Sequence, residues 1–161
     1  MMKNLSFLTL ILLLVSCNYN LINKWENYDE SEEIKTNATH ENKRLQFKRI
    51  QSISNDKNQL INGFEREISN FLENEYDLTK ELVYEKSIPE IQQSVIDGKL
   101  TYFKLSLFYL TRIYLIEFDQ ESYLNSIISI NKNILKEAKT KDKIKNNNIY
   151  SLHGIPILLK D

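Results

Sequence analysis

Residues 102–118 read YFKLSLFYLTRIYLIEF, and Thr101 stands immediately before them as a helix N-cap. Phe103, Leu105, Leu107, Phe108, Tyr109, Leu110, Ile113, Tyr114, Leu115 and Ile116 leave this predicted helix almost no polar face. A helix that is apolar all round is either buried on every side or set in a membrane. Lys104, Arg112 and Glu117 argue against the membrane, because ionisable groups are costly there. Burial on every side demands surrounding layers, and a chain of 161 residues has few elements with which to build them. Two architectures fit: a small helical bundle with this helix at its centre, and a piece of a larger fold.

The flanks sharpen the pattern. From Asp56 onward, Leu60, Ile61, Phe64, Ile68, Phe71 and Leu72 recur at helical spacing. Gly63 weakens that helix by about 1 kcal/mol relative to alanine. A shorter helix is expected over about 78–85. Ser87-Ile88-Pro89-Glu90 has the spacing of a capping box, with proline in the first turn where its missing N–H costs nothing. The helix it opens carries Ile91, Val95 and Ile96 and should stop at Gly98. On the other side, YLNSIISI at 123–130 is rich in β-branched residues and reads as a strand. Asn131 then caps a helix with Ile134, Leu135 and Ala138, NNNIYS is a loop, and 155–160 reads as a second short strand. The expected chain is mainly α-helical with two short strands.

Composition is that of a globular domain: 42% hydrophobic, 27% charged, formal net charge −1. No global field points to nucleic acid or to an anionic surface. Lys132, Lys136, Lys139, Lys141, Lys143 and Lys145 form a basic stretch, but no aromatic stacking platform stands among them before Tyr150. They read as a solvated face, and no nucleic acid is expected as a partner. At the N-terminus, Lys3 precedes an apolar stretch from Leu5 to Val15 that is too short to span a bilayer. This is the pattern of a secretory signal peptide over residues 1–16. Leu14-Val15-Ser16-Cys17 resembles the lipobox of bacterial lipoproteins, in which the cysteine sulfur takes a diacylglycerol. Cys17 is the only cysteine in the chain, so disulfide frameworks and thiol catalysis are excluded from the mature domain. The expectation is a lipid-anchored envelope protein with the membrane as its partner. Asn18 rather than Asp after the cysteine leans it toward the outer membrane. Residues 17–42 read as a solvated tether and 43–87 as a helical extension.

The remaining segment, 88–161, resembles the amidase signature hydrolases. The residues that carry the resemblance are DGKLT at 97–101, YLTRI at 109–113, LNSII at 124–128, Ala138 with Asp142, and LHGIPILLKD at 152–161, in that order. The resemblance implies part of a large α/β fold with a mixed central sheet and a Ser–cis-Ser–Lys triad that hydrolyses a C–N amide bond. It maps the triad base onto Lys160. A lysine in water has a pKa of about 10.4, so such a base must be buried to accept a proton at neutral pH. It would take a proton from the bridging serine, which in turn deprotonates the nucleophile. In the family both serines follow this lysine in a Gly/Ser-rich segment, which this sequence does not contain. The expectation is the N-terminal portion of an amidase, inactive by itself, with an amide substrate belonging to the full-length parent.

His153 belongs to the motif in a structural role; with only His40 elsewhere it makes no zinc site, and no metal or cofactor is expected. Gly154 and Pro156 shape the turn, and Asp161 is assigned no chemistry. Without the flanking motif, a Lys-Asp pair after an apolar run is a solvated strand end. The competing expectation is a non-enzymatic, membrane-anchored helical envelope protein with an amidase-like N-terminus.

Overall fold

Seven α-helices and one 3-10 turn account for the regular structure of the described residues, which are 22–27, 29–46 and 56–160 of a computed structural model. They are α1 Ser31–Ala38, the 3-10 turn Lys43–Leu45, α2 Asn58–Ile61, α3 Glu65–Asn74, α4 Tyr76–Val83, α5 Ile88–Ile96, α6 Tyr102–Glu117 and α7 Ile134–Asp142. The expected signal peptide, Cys17 and Asp161 lie outside the described residues.

The all-round apolar helix is α6, and it sits at the centre. Helices α3, α4 and α7 pack against it. Phe108 and Leu105 are fully buried, as is Ile68 on α3, and Ala138 brings α7 close. Each large side chain so buried contributes about 1.5–3 kcal/mol. The opposite flank is less covered: Tyr109 and Leu115 are exposed. The helical bundle is therefore what the described residues form around α6.

The helix expected to run unbroken from Asp56 is two helices. Gly63 has φ +88, and its N–H donates to Glu65 Oε2 at 2.7 Å, so the chain turns between α2 and α3. Helical periodicity survives the turn because both pieces bury one face on the same core. The Ser87 and Gly98 signals behave as their chemistry dictates, whereas Asn131, expected to cap α7, accepts from the Asn133 N–H at 2.9 Å and leaves Asn133 at the N-cap. The Glu90 carboxylate accepts from the Ser87 N–H at 2.8 Å and from its hydroxyl at 2.6 Å. Those hydrogen bonds, the hydroxyl first, hold the Glu90 carboxyl below its ordinary pKa. Helix α5 stops at Gly98, where the Lys99 N–H reaches the Ser94 carbonyl at 2.9 Å.

The strand expectation fails. An α/β fragment with strands at 123–130 and 155–160 is not what the described residues show: neither segment has regular structure or belongs to a ladder, and Asn125 in the first is left-handed at φ +51. β-Branched composition makes a chain extended, but a strand also needs a neighbour to receive its N–H and C=O groups. Neither segment has such a neighbour among the described residues. Ile127 and Ile130 pack on the core from the first segment and Ile155 from the second, while Leu124, Ile128, Ile157 and Leu158 face outward.

Candidate functional site

The LHGIP turn is held from three sides. Gln92 on α5 is fully buried, and its Nε2 donates to the Ser151 carbonyl at 2.7 Å and the His153 carbonyl at 2.9 Å. Its Oε1 accepts the Tyr102 hydroxyl at 2.7 Å. The ring of Tyr102 lies against Gly154, which has φ +70; a Cβ there would collide with the ring. His153 stands edge-on to the same ring, centroids 5.3 Å apart, with Nε2 3.3 Å from the Lys141 carbonyl. A carbonyl only accepts, so that contact puts the imidazole proton on Nε2.

The N-terminus of α6 is part of this assembly. Thr101 accepts from the Lys104 N–H at 3.1 Å. The Asp142 carboxylate accepts from the Tyr102 N–H at 2.6 Å and the Phe103 N–H at 3.2 Å. An aspartate at the C-terminus of its own helix is badly placed for that helix's dipole, but here it neutralises the positive end of α6. Three of the five stretches behind the family resemblance thus contribute to one structural knot: Thr101, Asp142 and the LHGIP turn, all around Tyr102. Gln92 was not singled out by any sequence signal; a lone glutamine on a helix carries none.

Beyond the turn the chain runs outward. Ile157, Leu158 and Leu159 are 64%, 75% and 91% exposed, and Lys160 after them is exposed. Between this arm, the 123–130 segment and the open flank of α6 lies a groove of about 660 Å3, lined by Ile113, Ile116, Leu124, Ile127, Pro156 and Leu158 among others. It is largely apolar. Lys160 does not line it, and the burial that a neutral lysine base requires is not provided by the described residues.

A second polar cluster sits at the far end of α6. Lys57 and Glu117 are 6% and 1% exposed, with Nζ 3.2 Å from Oε2 and 3.1 Å from the Glu117 carbonyl. The ammonium also lies over the rings of Tyr123 at 3.8 Å and Trp25 at 4.3 Å. Glu117 Oε1 accepts from the Ser126 N–H at 2.8 Å and its hydroxyl at 2.7 Å. Burial pushes the Glu117 carboxyl up, but the Ser126 hydrogen bonds and the Lys57 ammonium together bring it below its ordinary value. A carboxylate held that low is a poor base for a serine, so this cluster is suited to holding structure rather than to activating Ser126. The sequence marked Glu117 only as an argument against a membrane span, and Lys57 not at all. Among the described residues no group of three His, Cys, Asp or Glu side chains gathers where a metal ion could be held, and no helix is long and apolar enough to cross a membrane.

No protein-family model, curated protein or solved structure matches this chain.

Proposed function

We propose that residues 88–161 are the N-terminal part of an amidase signature hydrolase, carried on a lipid anchor at Cys17, with Lys160 as the base of its Ser–cis-Ser–Lys triad. The observation that supports this reading is the knot around Tyr102. Motif residues scattered from Thr101 to Gly154 meet there and fix the turn from which the Lys160 arm departs. Both serines must come from outside the residues of this chain. The test is the transcript: a Gly/Ser-rich segment encoded in frame after Asp161 is expected, and the longer product should hydrolyse amides and lose that activity in Lys160→Ala. Unrelated sequence at that position, in every frame, refutes the reading.

A second reading is a non-enzymatic, membrane-anchored helical envelope protein. It is favoured by the core that α3, α4 and α7 build with α6 from this chain alone. It requires residues 18–161 to unfold as a cooperative monomer that binds no hydrophobic dye. A broad transition with strong dye binding would count against it.

A further inference from the structure

The segment that follows the proposed lipid anchor does not swing free of the domain. Ile22 packs against the hydrophobic core, and the Asn23 N–H donates to the Tyr114 hydroxyl at 3.0 Å. Asn58 grips Trp25 from both sides: its Oδ1 accepts the Trp25 N–H at 2.8 Å and its Nδ2 donates to the Trp25 carbonyl at 3.0 Å. The indole itself stacks edge-on against Tyr123, centroids 4.8 Å apart, and against Phe118 at 6.5 Å, with the Lys57 ammonium over its face. Backbone and side chain of one short stretch are thus tied to α2, to α6 and to the segment after α6.

The consequence is a matter of length. A free tether from Cys17 to residue 42 would have a root-mean-square span of about 28 Å and would leave the orientation of the domain open. Docked at Ile22, the chain has about five residues to cover from Cys17, at most about 17 Å when fully extended. We infer that the Trp25–Tyr123 end of the domain is held against the lipid bilayer, with the membrane surface as its partner and Tyr123 and Leu124 turned toward it. Tyr123 and Leu124 are 45% and 67% exposed at this end, and Trp and Tyr are the side chains that suit a membrane interface. The LHGIP turn is rooted at α6's opposite end, where Gly154 rests on Tyr102, the first residue of that helix. Sixteen helical residues, about 24 Å, separate the two ends, and Pro156 and Leu158 beyond the turn share the groove with Leu124.

This inference rests on lipidation at Cys17, and the test separates the two. Trp25 is the only tryptophan in the protein, so its emission reports its own position. The mature chain from Cys17 is coupled through that single thiol to a maleimide lipid in phosphatidylethanolamine–phosphatidylglycerol vesicles doped with a dansyl-headgroup lipid. Strong energy transfer from Trp25 to dansyl is expected. Inserting about twenty Gly/Ser residues between Leu21 and Ile22, with a span of about 25 Å, should cut that transfer by roughly half or more. Transfer that is weak in the coupled protein, or unchanged by the insertion, overturns the inference whatever happens in the cell. Whether the cell lipidates Cys17 is read separately, as a mass increase on the protein from a bacterial host that Cys17→Ser abolishes; its absence overturns the anchor and leaves the vesicle measurement standing as a test of geometry alone.

Discussion

Removing either member of the Lys57–Glu117 pair should destabilise this protein more than any surface substitution. Both side chains are almost fully buried, so each charge has lost its water and depends on what the fold offers it. Glu117→Gln leaves the Lys57 ammonium with one backbone carbonyl, a neutral amide and two ring faces, and the loss should approach the 3–5 kcal/mol typical of a broken buried pair. Lys57→Met leaves Glu117 with both Ser126 donors still in place, so about 2–3 kcal/mol is expected. The double variant should lose less than the sum of the two, by about 1–3 kcal/mol of coupling. The assay is guanidinium unfolding of residues 18–161, read as a shifted midpoint at unchanged slope, with a thermal midpoint about 10 °C lower for Glu117→Gln. The pH dependence follows with a definite sign. A carboxyl whose folded pKa is lowered contributes stability that is fully present above its unfolded value, near 4.3, and lost as pH falls through the lower folded one. The wild type should therefore lose stability between about pH 5 and pH 3 more steeply than Glu117→Gln. Single variants that each cost under about 1 kcal/mol, or additive losses in the double variant, would refute a buried, coupled pair.

Three further substitutions, with a fourth at Gly63 as a control, probe the α6 knot and core. Gly154→Ala forces a Cβ into the Tyr102 ring at a left-handed φ and should cost about 2–4 kcal/mol in thermal unfolding, whereas Gly63→Ala, also left-handed but with open space around it, should cost only about 1 kcal/mol; equal losses would show that the ring contact carries nothing. Asp142→Ala strips two N–H groups at the start of α6 of their acceptor and should cost about 1–2 kcal/mol, with faster amide exchange at Tyr102 and Phe103; unchanged exchange there contradicts the cap. Thr111→Val removes a buried hydroxyl that has no hydrogen-bond partner among the described residues and keeps the side-chain shape, so a gain of about 1 kcal/mol is expected, and a loss would mean the hydroxyl is satisfied in solution.

The parts of this structure that were legible in the sequence are those decided by neighbours three or four residues away. The Ser87–Glu90 contact, the Thr101 cap, the stop at Gly98 and the burial of α6 all follow from local chemistry. What could not be read were contacts closed across long sequence distances. Gln92 meets residues 59 and 61 positions away, Lys57 meets Glu117 across 60, and Asn58 meets Trp25 across 33. Lys132 makes the same point: counted among the solvated lysines, it donates to the Gln59 carbonyl at 2.7 Å and to the Asn62 carbonyl at 3.2 Å, closing the C-terminus of α2. The strands were misread for the converse reason. Their composition states a backbone preference, but pairing is a property of two segments, and these two lie on the α6 groove without a ladder.

Anchoring and chemistry separate cleanly along the last ten residues. The root of the arm is ordered inside this chain, by the Gln92 amide on two carbonyls, by Gly154 on the Tyr102 ring and by Asp142 beneath them. Nothing about that order depends on Lys160. The arm itself shows Ile157, Leu158 and Leu159 to solvent, and covering each would contribute on the order of 1.5–3 kcal/mol. A lysine that works as a neutral base needs the same cover, because only loss of water brings its proton affinity down to the working range. The apolar run and the proposed role of Lys160 therefore ask for one thing, a wall over the arm. Substitutions at Gln92, Tyr102 or Gly154 must register as stability in this chain, whereas a substitution at Lys160, exposed beyond the anchored turn, should leave stability unchanged within about 0.5 kcal/mol.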